Sequence, residues 1–158
     1  MGFVESIKTC LSKYFVFSGR ATRSEYWWFY LFYVLTALSA HSLDVYLIFD
    51  GSWSRALNSE WGGAFENIAY LSLIIPSIAV AFRRLHDVNI SGWWVSGLFI
   101  FAITTGILWG IIEDLFPDLL SLIFLLFAVL VGYMILIFYW TIKKSDKSSN
   151  KYGAKPAK

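Results

Sequence analysis

The sequence predicts an all-α integral membrane protein with four transmembrane helices, preceded by a short amphipathic interfacial helix. Apolar residues make up 58% of the 158-residue chain and charged residues only 15%, a balance that a water-soluble fold of this length cannot bury. Four apolar runs are about long enough to cross a hydrocarbon core of roughly 30 Å. Basic residues collect in the segments that would face one side of the membrane. A soluble globular enzyme is therefore nearly excluded.

The amphipathic helix is predicted before the first apolar run. Phe3, Ile7, Leu11 and Phe15 recur at helical spacing, with charged and polar residues between them. Such a helix lies flat on the cytoplasmic leaflet or packs on the protein's own helices, and the two arrangements can coexist. Cys10 falls among these apolar positions, where we expect it to fill space rather than to take part in redox chemistry.

Four spans follow, and helices are expected because backbone groups in lipid must be hydrogen-bonded within their own segment. The predicted spans cover about residues 26–45, 65–82, 92–112 and 119–142. Residues 1–145 then form a single membrane domain, and residues 146–158 form a basic cytoplasmic tail. Pro76 lies inside the second span, where it removes one backbone hydrogen bond and frees a carbonyl near Ser72.

The positions of Lys and Arg predict the orientation of the spans. Twelve of the 13 basic residues lie before span one, between spans two and three, or after span four, and only Arg55 lies on the other side. Because basic residues collect on the cytoplasmic side, both termini are predicted to be cytoplasmic in a multi-pass protein of the bacterial inner membrane. The predicted outer side is acidic and contains Asp50, Glu60, Glu113, Asp114 and Asp118.

Charged residues from three cytoplasmic segments are expected at one interface. They are Arg20, Arg23, Glu25, Arg83, Arg84, His86 and Asp87. Thr22 and Glu25 have the spacing of a capping box, which would start the first span. In a structural interpretation, Glu25 and Asp87 pair with two of the arginines and join the helix ends, next to His86.

A functional interpretation of the same residues can coexist with the structural one. It assigns lipid phosphate or another anion to the four arginines, because guanidinium groups make bidentate phosphate contacts. These candidate binding residues are Arg20, Arg23, Arg83 and Arg84. A third interpretation, catalysis by His86 oriented by Asp87, has less support because no nucleophile or metal-ligand set accompanies the pair.

Three stretches of the sequence resemble a known family. The patterns are F-x-G-R-x-x-R-x-E-Y-W from Phe17 and R-R-L-H-D-x-x-x-S-G-W-W from Arg83, and the closing segment from Asn150 has the pattern N-x-Y-G-x-x-P. Three motifs in this order resemble the YhaH-like bacterial inner-membrane family (domain of unknown function 805). The resemblance covers nearly the whole chain and implies a four-helix inner-membrane protein. It supplies no activity that could be transferred to these residues.

Small residues recur every four positions on the last two spans. They are Gly106 and Gly110 on the third span, and Ala128 and Gly132 on the fourth. Such ridges let helix backbones approach closely. We expect them to pack helices within one chain, with a homo-oligomer interface as the alternative.

Ionisable residues are absent from the middle of all four predicted spans. Ion-coupled transporters usually need such a group in mid-membrane, so transport is disfavoured. His41 and Asp44 lie near the outer surface, where we expect solvated helix ends, with an outer proton or divalent-cation site as the alternative.

The leading hypothesis is a non-enzymatic inner-membrane protein whose arginine-rich cytoplasmic rim contacts anionic lipid or a partner protein. A small oligomeric transporter or channel component is the alternative, and a lipid-modifying enzyme is a third hypothesis. We expect no metal, no cofactor and no nucleic-acid partner.

Overall fold

The computed structural model describes residues 1–59, 61–115 and 120–156, without the side chains of 112–115 and 120–123. These residues form six helices: α1 (Phe3–Ser12), α2 (Arg23–Leu47), α3 (Trp53–Leu57), α4 (Ala64–Asp87), α5 (Trp93–Leu115) and α6 (Leu120–Ile142). Four of the predicted outer acidic side chains lie outside this description, namely Glu60, Glu113, Asp114 and Asp118. The all-helical fold class is confirmed for the described part of the chain.

Three helices are long and apolar enough to cross a membrane. They are Ala64–Asp87, Trp93–Ile111 and Phe124–Ile142, which correspond to the predicted second, third and fourth spans. The predicted first span lies within α2, which has 25 residues but is not among these three because polar side chains lower its hydropathy. Four crossings and the orientation of the termini therefore stay predictions.

Helices α2 and α4 run antiparallel along their whole length. Near one end, the Ala21 N–H donates to the Arg83 carbonyl over 2.9 Å, and midway the rings of Tyr33 and Tyr70 stack at 6.1 Å. At the far end, the Asp44 carboxylate accepts the N–H groups of Phe65 and Glu66 over 3.0 and 2.7 Å. The two helices are thus paired at both ends.

Asp44 is fully buried, so the expectation of a solvated helix end is wrong for this residue. Its carboxylate occupies the N-terminus of α4, where free N–H groups and the helix dipole favour a negative charge. Gly63 makes this possible, because a Cβ there would lie 1.9 Å from the Asp44 side chain. His41 pairs with Glu66 over 3.0 Å nearby, and both side chains are one-fifth exposed.

Helix α1 packs on α2 and α4. Ser6 and Cys10 are buried, whereas Val4 and Leu11 on its other face are exposed. Just after α1, the Tyr14 hydroxyl donates to the Ser72 carbonyl over 2.6 Å, which is the carbonyl that the proline four residues later leaves without a helical partner. Packing on the protein's own helices is therefore the arrangement found.

Helices α5 and α6 meet near Gly97, where an added Cβ would lie 2.7 Å from the Tyr133 hydroxyl. That hydroxyl donates to the Trp94 carbonyl over 2.8 Å.

The predicted small-residue ridges do not take part in this contact between α5 and α6. An added Cβ at Gly106, Gly110 or Gly132 would meet no described atom within 4 Å, and Ala128 is exposed. The close intrachain packing expected at these positions is therefore absent from the described part of the chain, because the ridges face outward. The homo-oligomer alternative stays a prediction.

Candidate functional site: an arginine cluster and a basic pocket

Five charged residues meet at one end of the helix bundle, and we call them the arginine cluster: Arg20, Glu25, Arg83, Arg84 and Asp87. The Thr22 hydroxyl accepts the Glu25 N–H over 3.1 Å, which starts α2 as the capping-box spacing predicted. This cap sets the first turn of α2 beside the last turn of α4. The cluster therefore forms where the start of one helix meets the end of another.

Three ion pairs join the cluster. Asp87 binds Arg20 over 2.9 Å and Arg84 over 2.5 Å, and Glu25 binds Arg83 over 3.1 Å. Each of these side chains is at most 4% exposed. Buried charges require such pairing, since an isolated charge in a low-dielectric interior is strongly unfavourable.

Three guanidinium groups face only two carboxylates in the cluster, and carbonyl oxygens accept further N–H groups, although the Arg83 Nε is buried without a partner among the described atoms. Arg83 donates to the Val16 carbonyl over 2.5 Å. Arg84 donates to the Thr141 carbonyl over 2.9 Å and to the Lys143 carbonyl, at the C-terminal end of α6. The negative end of that helix dipole favours a cation there.

Arg20 binds the segment that follows α6. Its guanidinium donates to the carbonyls of Asp146, Ser148 and Gly153 over 3.0, 2.8 and 3.3 Å. This segment belongs to residues 146–158, which the sequence predicts as a basic cytoplasmic tail. Its contacts with Arg20 bring residues 146–153 onto the arginine cluster.

His86 holds the same segment by its ring and its backbone. The ring stacks on Tyr152 with centroids 3.8 Å apart and planes 8° from parallel. Its Nδ1 contacts the Gly19 carbonyl over 3.1 Å, and the His86 carbonyl accepts the Asn150 amide over 2.9 Å. The carboxylate of Asp87 is turned to the arginines instead, so the two residues of the catalytic hypothesis have different partners.

Cys10 of α1 lies against the arginine cluster. Its Sγ lies 4.0 Å from a carboxylate oxygen of Glu25 and 4.0 Å from the Arg83 guanidinium. Burial raises the pKa of this thiol to about 12, and the Glu25 charge adds to the shift. The thiol is therefore protonated at neutral pH, which is typical of inert buried cysteines.

The four arginines predicted to bind anions fall into two groups. Arg20, Arg83 and Arg84 are buried, and their guanidinium groups bind the protein acceptors described above. Arg23 is exposed, and its guanidinium is held over the C-terminal end of α6 by a 3.5 Å contact with the Ile142 carbonyl. Of the four, Arg23 is the one with a guanidinium open to an external anion.

Arg23 lines an open pocket of about 790 Å³, which we call the basic pocket. Four basic side chains line it: Arg23, Lys144, Lys147 and Lys155. The other lining residues are Met1, Thr22, Ser24, Trp27, Ile142, Ser145 and Pro156. No described lining residue is acidic, so the pocket combines positive charge, hydroxyl groups and an apolar edge.

The sequence analysis assigned Lys147 and Lys155 to the tail and Lys144 to the end of the membrane domain, without bringing any of them beside Arg23. For Lys144 and Lys147 the available signal was their position two and five residues after the last residue of α6, whereas nothing in the sequence pattern placed Lys155 there. Within the described residues, no group of three or more His, Cys, Asp or Glu side chains could hold a metal ion.

Comparison with known proteins agrees with the motifs. Residues 14–154 match the family described as a protein of unknown function (DUF805). Inner membrane protein YhaH of Escherichia coli (strain K12) is 38% identical over 84 residues, which cover 53% of this chain and 64% of YhaH, or less than two thirds of that relative. Inner membrane protein YhaI of the same organism is 25% identical over 146 residues, covering 92% of this chain and 90% of YhaI.

No solved structure matches the chain. The family match extends over most of the sequence, and both relatives are inner membrane proteins. The chain therefore belongs to DUF805, a bacterial inner-membrane protein family of unknown function.

Proposed function

We propose that this protein is a non-enzymatic, four-span inner-membrane protein that binds the headgroup of an anionic phospholipid in the basic pocket, on the cytoplasmic side. The observation that carries the proposal is the charge of the pocket. Four basic side chains line it with no acid among the described lining residues, and arginine and lysine near a membrane surface attract anionic lipid.

The pairing of α2 with α4 supports four spans. Helix α4 is apolar and long enough to cross a bilayer, and α2 contacts it from Ala21 at one end to Asp44 at the other. If α4 crosses the membrane, its antiparallel partner crosses with it. Helix α2 has 25 residues, more than the roughly 20 that a crossing needs.

The contacts between helix ends support a cytoplasmic location for the pocket. The start of α2, the end of α4 and the end of α6 meet through Arg20, Arg84 and Asp87. The basic residues that flank these helix ends therefore lie at one end of the bundle, as expected of a cytoplasmic face.

The lining of the pocket favours a lipid over a soluble anion or a protein segment. Trp27 and Ile142 form its apolar edge, and tryptophan prefers the headgroup layer of a bilayer. Arg23 offers a guanidinium suited to phosphate oxygens, while the buried arginine cluster fixes the helix ends that carry the pocket. In this proposal the exposed cations bind the lipid headgroup, and the buried arginines hold the helix ends in position.

The test is lipid retention by variants of matched charge. The double variant Arg23→Gln/Lys144→Gln is compared with Lys8→Gln/Lys151→Gln, which removes two exposed cations outside the pocket. Native mass spectrometry of each protein in mild detergent measures bound phosphatidylglycerol and phosphatidylethanolamine. At about 1 kcal/mol per basic residue, the pocket variant should bind phosphatidylglycerol about thirtyfold more weakly, whereas the control should bind it as the wild type does.

Two results would contradict the proposal. One is a wild-type protein that retains phosphatidylethanolamine as well as phosphatidylglycerol. The other is an equal loss of phosphatidylglycerol in the pocket and control variants, which would mean that the net charge of the protein and not the pocket attracts the lipid.

A further inference from the structure

A second cavity, of about 460 Å³, lies between α2, α4, α5 and α6, and we call it the aromatic cavity. Its volume is within the range of roughly 300–1,000 Å³ found for small-molecule sites. Every one of the four helices contributes to its lining, for example through Tyr30, Ala81, Leu98 and Phe138. The lining is mostly aromatic and aliphatic, as an apolar chain requires.

The aromatic cavity adjoins the basic pocket. Trp27 lines both, and the adjacent residues Thr141 and Ile142 line one each. The Trp27 ring meets Phe138 edge-on with centroids 5.7 Å apart. One wall made of α2 and α6 thus runs from a cationic, open pocket into an apolar cavity.

A buried hydroxyl lies where the two parts join. Ser77 lines the aromatic cavity, and its Oγ is buried with no hydrogen-bond partner among the described atoms. Several Ser and Thr hydroxyls of the bundle bond within their own helix, as Thr36 does to the Phe32 carbonyl over 2.9 Å. A buried hydroxyl without a partner is unfavourable, so a ligand oxygen that meets the Ser77 hydroxyl after rotation of this side chain would satisfy it.

The register of α2 and α4 gives the depth of this hydroxyl. Because Ala21 lies opposite Arg83, Trp27 and Ser77 are level with each other, each six residues further from that end. Arg23 lies four residues before Trp27, or about 6 Å along the axis at 1.5 Å per residue. In a phospholipid, ester carbonyls lie in the same order, between the phosphate and the hydrocarbon chain.

We infer that the aromatic cavity holds one acyl chain of the anionic phospholipid whose headgroup occupies the basic pocket, with the Ser77 hydroxyl donating to an ester carbonyl. The inference rests on the proposed headgroup site and deepens it, since it makes the ligand a single lipid bound lengthwise. The alternative occupant is bulk lipid that exchanges freely and has no relation to the basic pocket.

Ligands that share a glycerol phosphate group but differ in the number of acyl chains test the inference on the wild-type protein. Native mass spectrometry measures binding of phosphatidylglycerol, lysophosphatidylglycerol with one chain, and glycerol phosphate with none. The one-chain lipid should bind as well as the two-chain lipid, and glycerol phosphate should bind at least about tenfold more weakly, the equivalent of losing the burial of two methylene groups. Equal binding of the one-chain lipid and glycerol phosphate would overturn the inference.

A pair of alanines supplies matched variants. Ala81 lines the cavity and Ala128 is exposed on α6, so Ala81→Phe fills the cavity while Ala128→Phe adds the same bulk to the outer surface. We expect Ala81→Phe to weaken phosphatidylglycerol binding about tenfold or more, again the equivalent of two buried methylenes. Glycerol phosphate binding should stay unchanged in both variants. Equal phosphatidylglycerol binding by the two variants would overturn the inference.

Photocrosslinking decides the matter if Ala81→Phe does not fold. Wild-type protein is irradiated with phosphatidylglycerol that carries a diazirine within one acyl chain, and the labelled residues are mapped. Labels on Ser77 and Leu98 would support the inference, and labels confined to outward residues such as Ile103 and Leu125 would overturn it. Failure of the proposed headgroup site would give a different result. The wild type would then bind phosphatidylethanolamine as well as phosphatidylglycerol, whatever the outcome of the acyl-chain experiments.

Discussion

Asp87 binds two arginine side chains at once, and it is fully buried. Replacing it by Asn keeps the shape and removes the charge, which leaves Arg20 and Arg84 buried without a carboxylate. We expect Asp87→Asn to lower the free energy of unfolding by about 3–5 kcal/mol, the usual cost of breaking a buried ion pair from one side. Thermal unfolding in detergent, followed by tryptophan fluorescence, measures the change.

Asp50 provides the control for this substitution. It pairs with Arg55 over 3.1 Å, but the two side chains are 79% and 60% exposed. Solvent screens such pairs, so Asp50→Asn should change stability by less than about 1 kcal/mol. Similar destabilisation by both substitutions would mean that the arginine cluster does not hold the helix ends together.

Cys10 gives a prediction about reactivity. Burial raises the pKa of its thiol to about 12, so at pH 8 the reactive thiolate is scarce and the sulfur is inaccessible. We expect iodoacetamide to label Cys10 slowly in the folded protein and rapidly after denaturation in SDS. A Ser12→Cys variant in a Cys10→Ala background, with an exposed thiol at the end of α1, should be labelled rapidly in both conditions. Rapid labelling of native Cys10 would contradict the buried cluster.

At the residue scale, the sequence indicated which charges meet but not which acceptors they find. Charge balance and position predicted that Glu25 and Asp87 lie near the arginines. The carbonyl acceptors of Arg20 come from residues more than 120 positions away, and no periodicity predicts such a contact. For the same reason the sequence did not distinguish Arg23 from the other three arginines. In the structure Arg23 is exposed and the other three are buried.

Among the elements, the segment after α6 makes contacts that the sequence did not predict. It forms a turn closed by two hydrogen bonds between Asn150 and Gly153, and it supplies three carbonyl acceptors to Arg20. A chain that ends after Ser145 loses these acceptors and the stacking on His86. We expect this truncation to destabilise the protein by at least about 3 kcal/mol, since each buried donor left unpaired costs about 1–3 kcal/mol.

A chain that ends after Ala154 is the matched control, because it keeps every one of these contacts. Its melting temperature in detergent should stay within about 2 °C of the wild type, whereas the shorter chain should unfold many degrees lower. Equal melting temperatures for the two truncations would mean that residues 146–153 only rest on the cluster.

Hydrophobic periodicity predicted where the helices lie in the sequence, but it predicted less well which faces of the helices pack together. Helices α4, α5 and α6 correspond to predicted spans, since a long apolar run leaves few alternatives. The small residues on α5 and α6 were expected to pack together, yet Gly106 and Gly132 face outward. Spacing identifies residues that share a face, but the rotation of each helix depends on contacts such as that of Tyr133 with Trp94.

At the scale of the whole molecule, the two ends of the bundle are built differently. One end joins α2, α4 and α6 through buried arginines and carries the basic pocket. At the other end, the carboxylate of Asp44 caps α4. The basic pocket reaches cytoplasmic lipid only if α2 crosses the membrane together with α4, α5 and α6, so that both termini lie inside the cell.

Membrane topology is therefore the property on which the proposed headgroup site depends most directly. In a Cys10→Ala background, Ser54→Cys and Ser149→Cys place exposed thiols on the predicted outer and inner sides. A membrane-impermeant maleimide added to spheroplasts should label Ser54→Cys, and it should label Ser149→Cys only after the membrane is permeabilised. Labelling of Ser149→Cys in intact spheroplasts, or protection of Ser54→Cys, would contradict four spans with a cytoplasmic basic pocket.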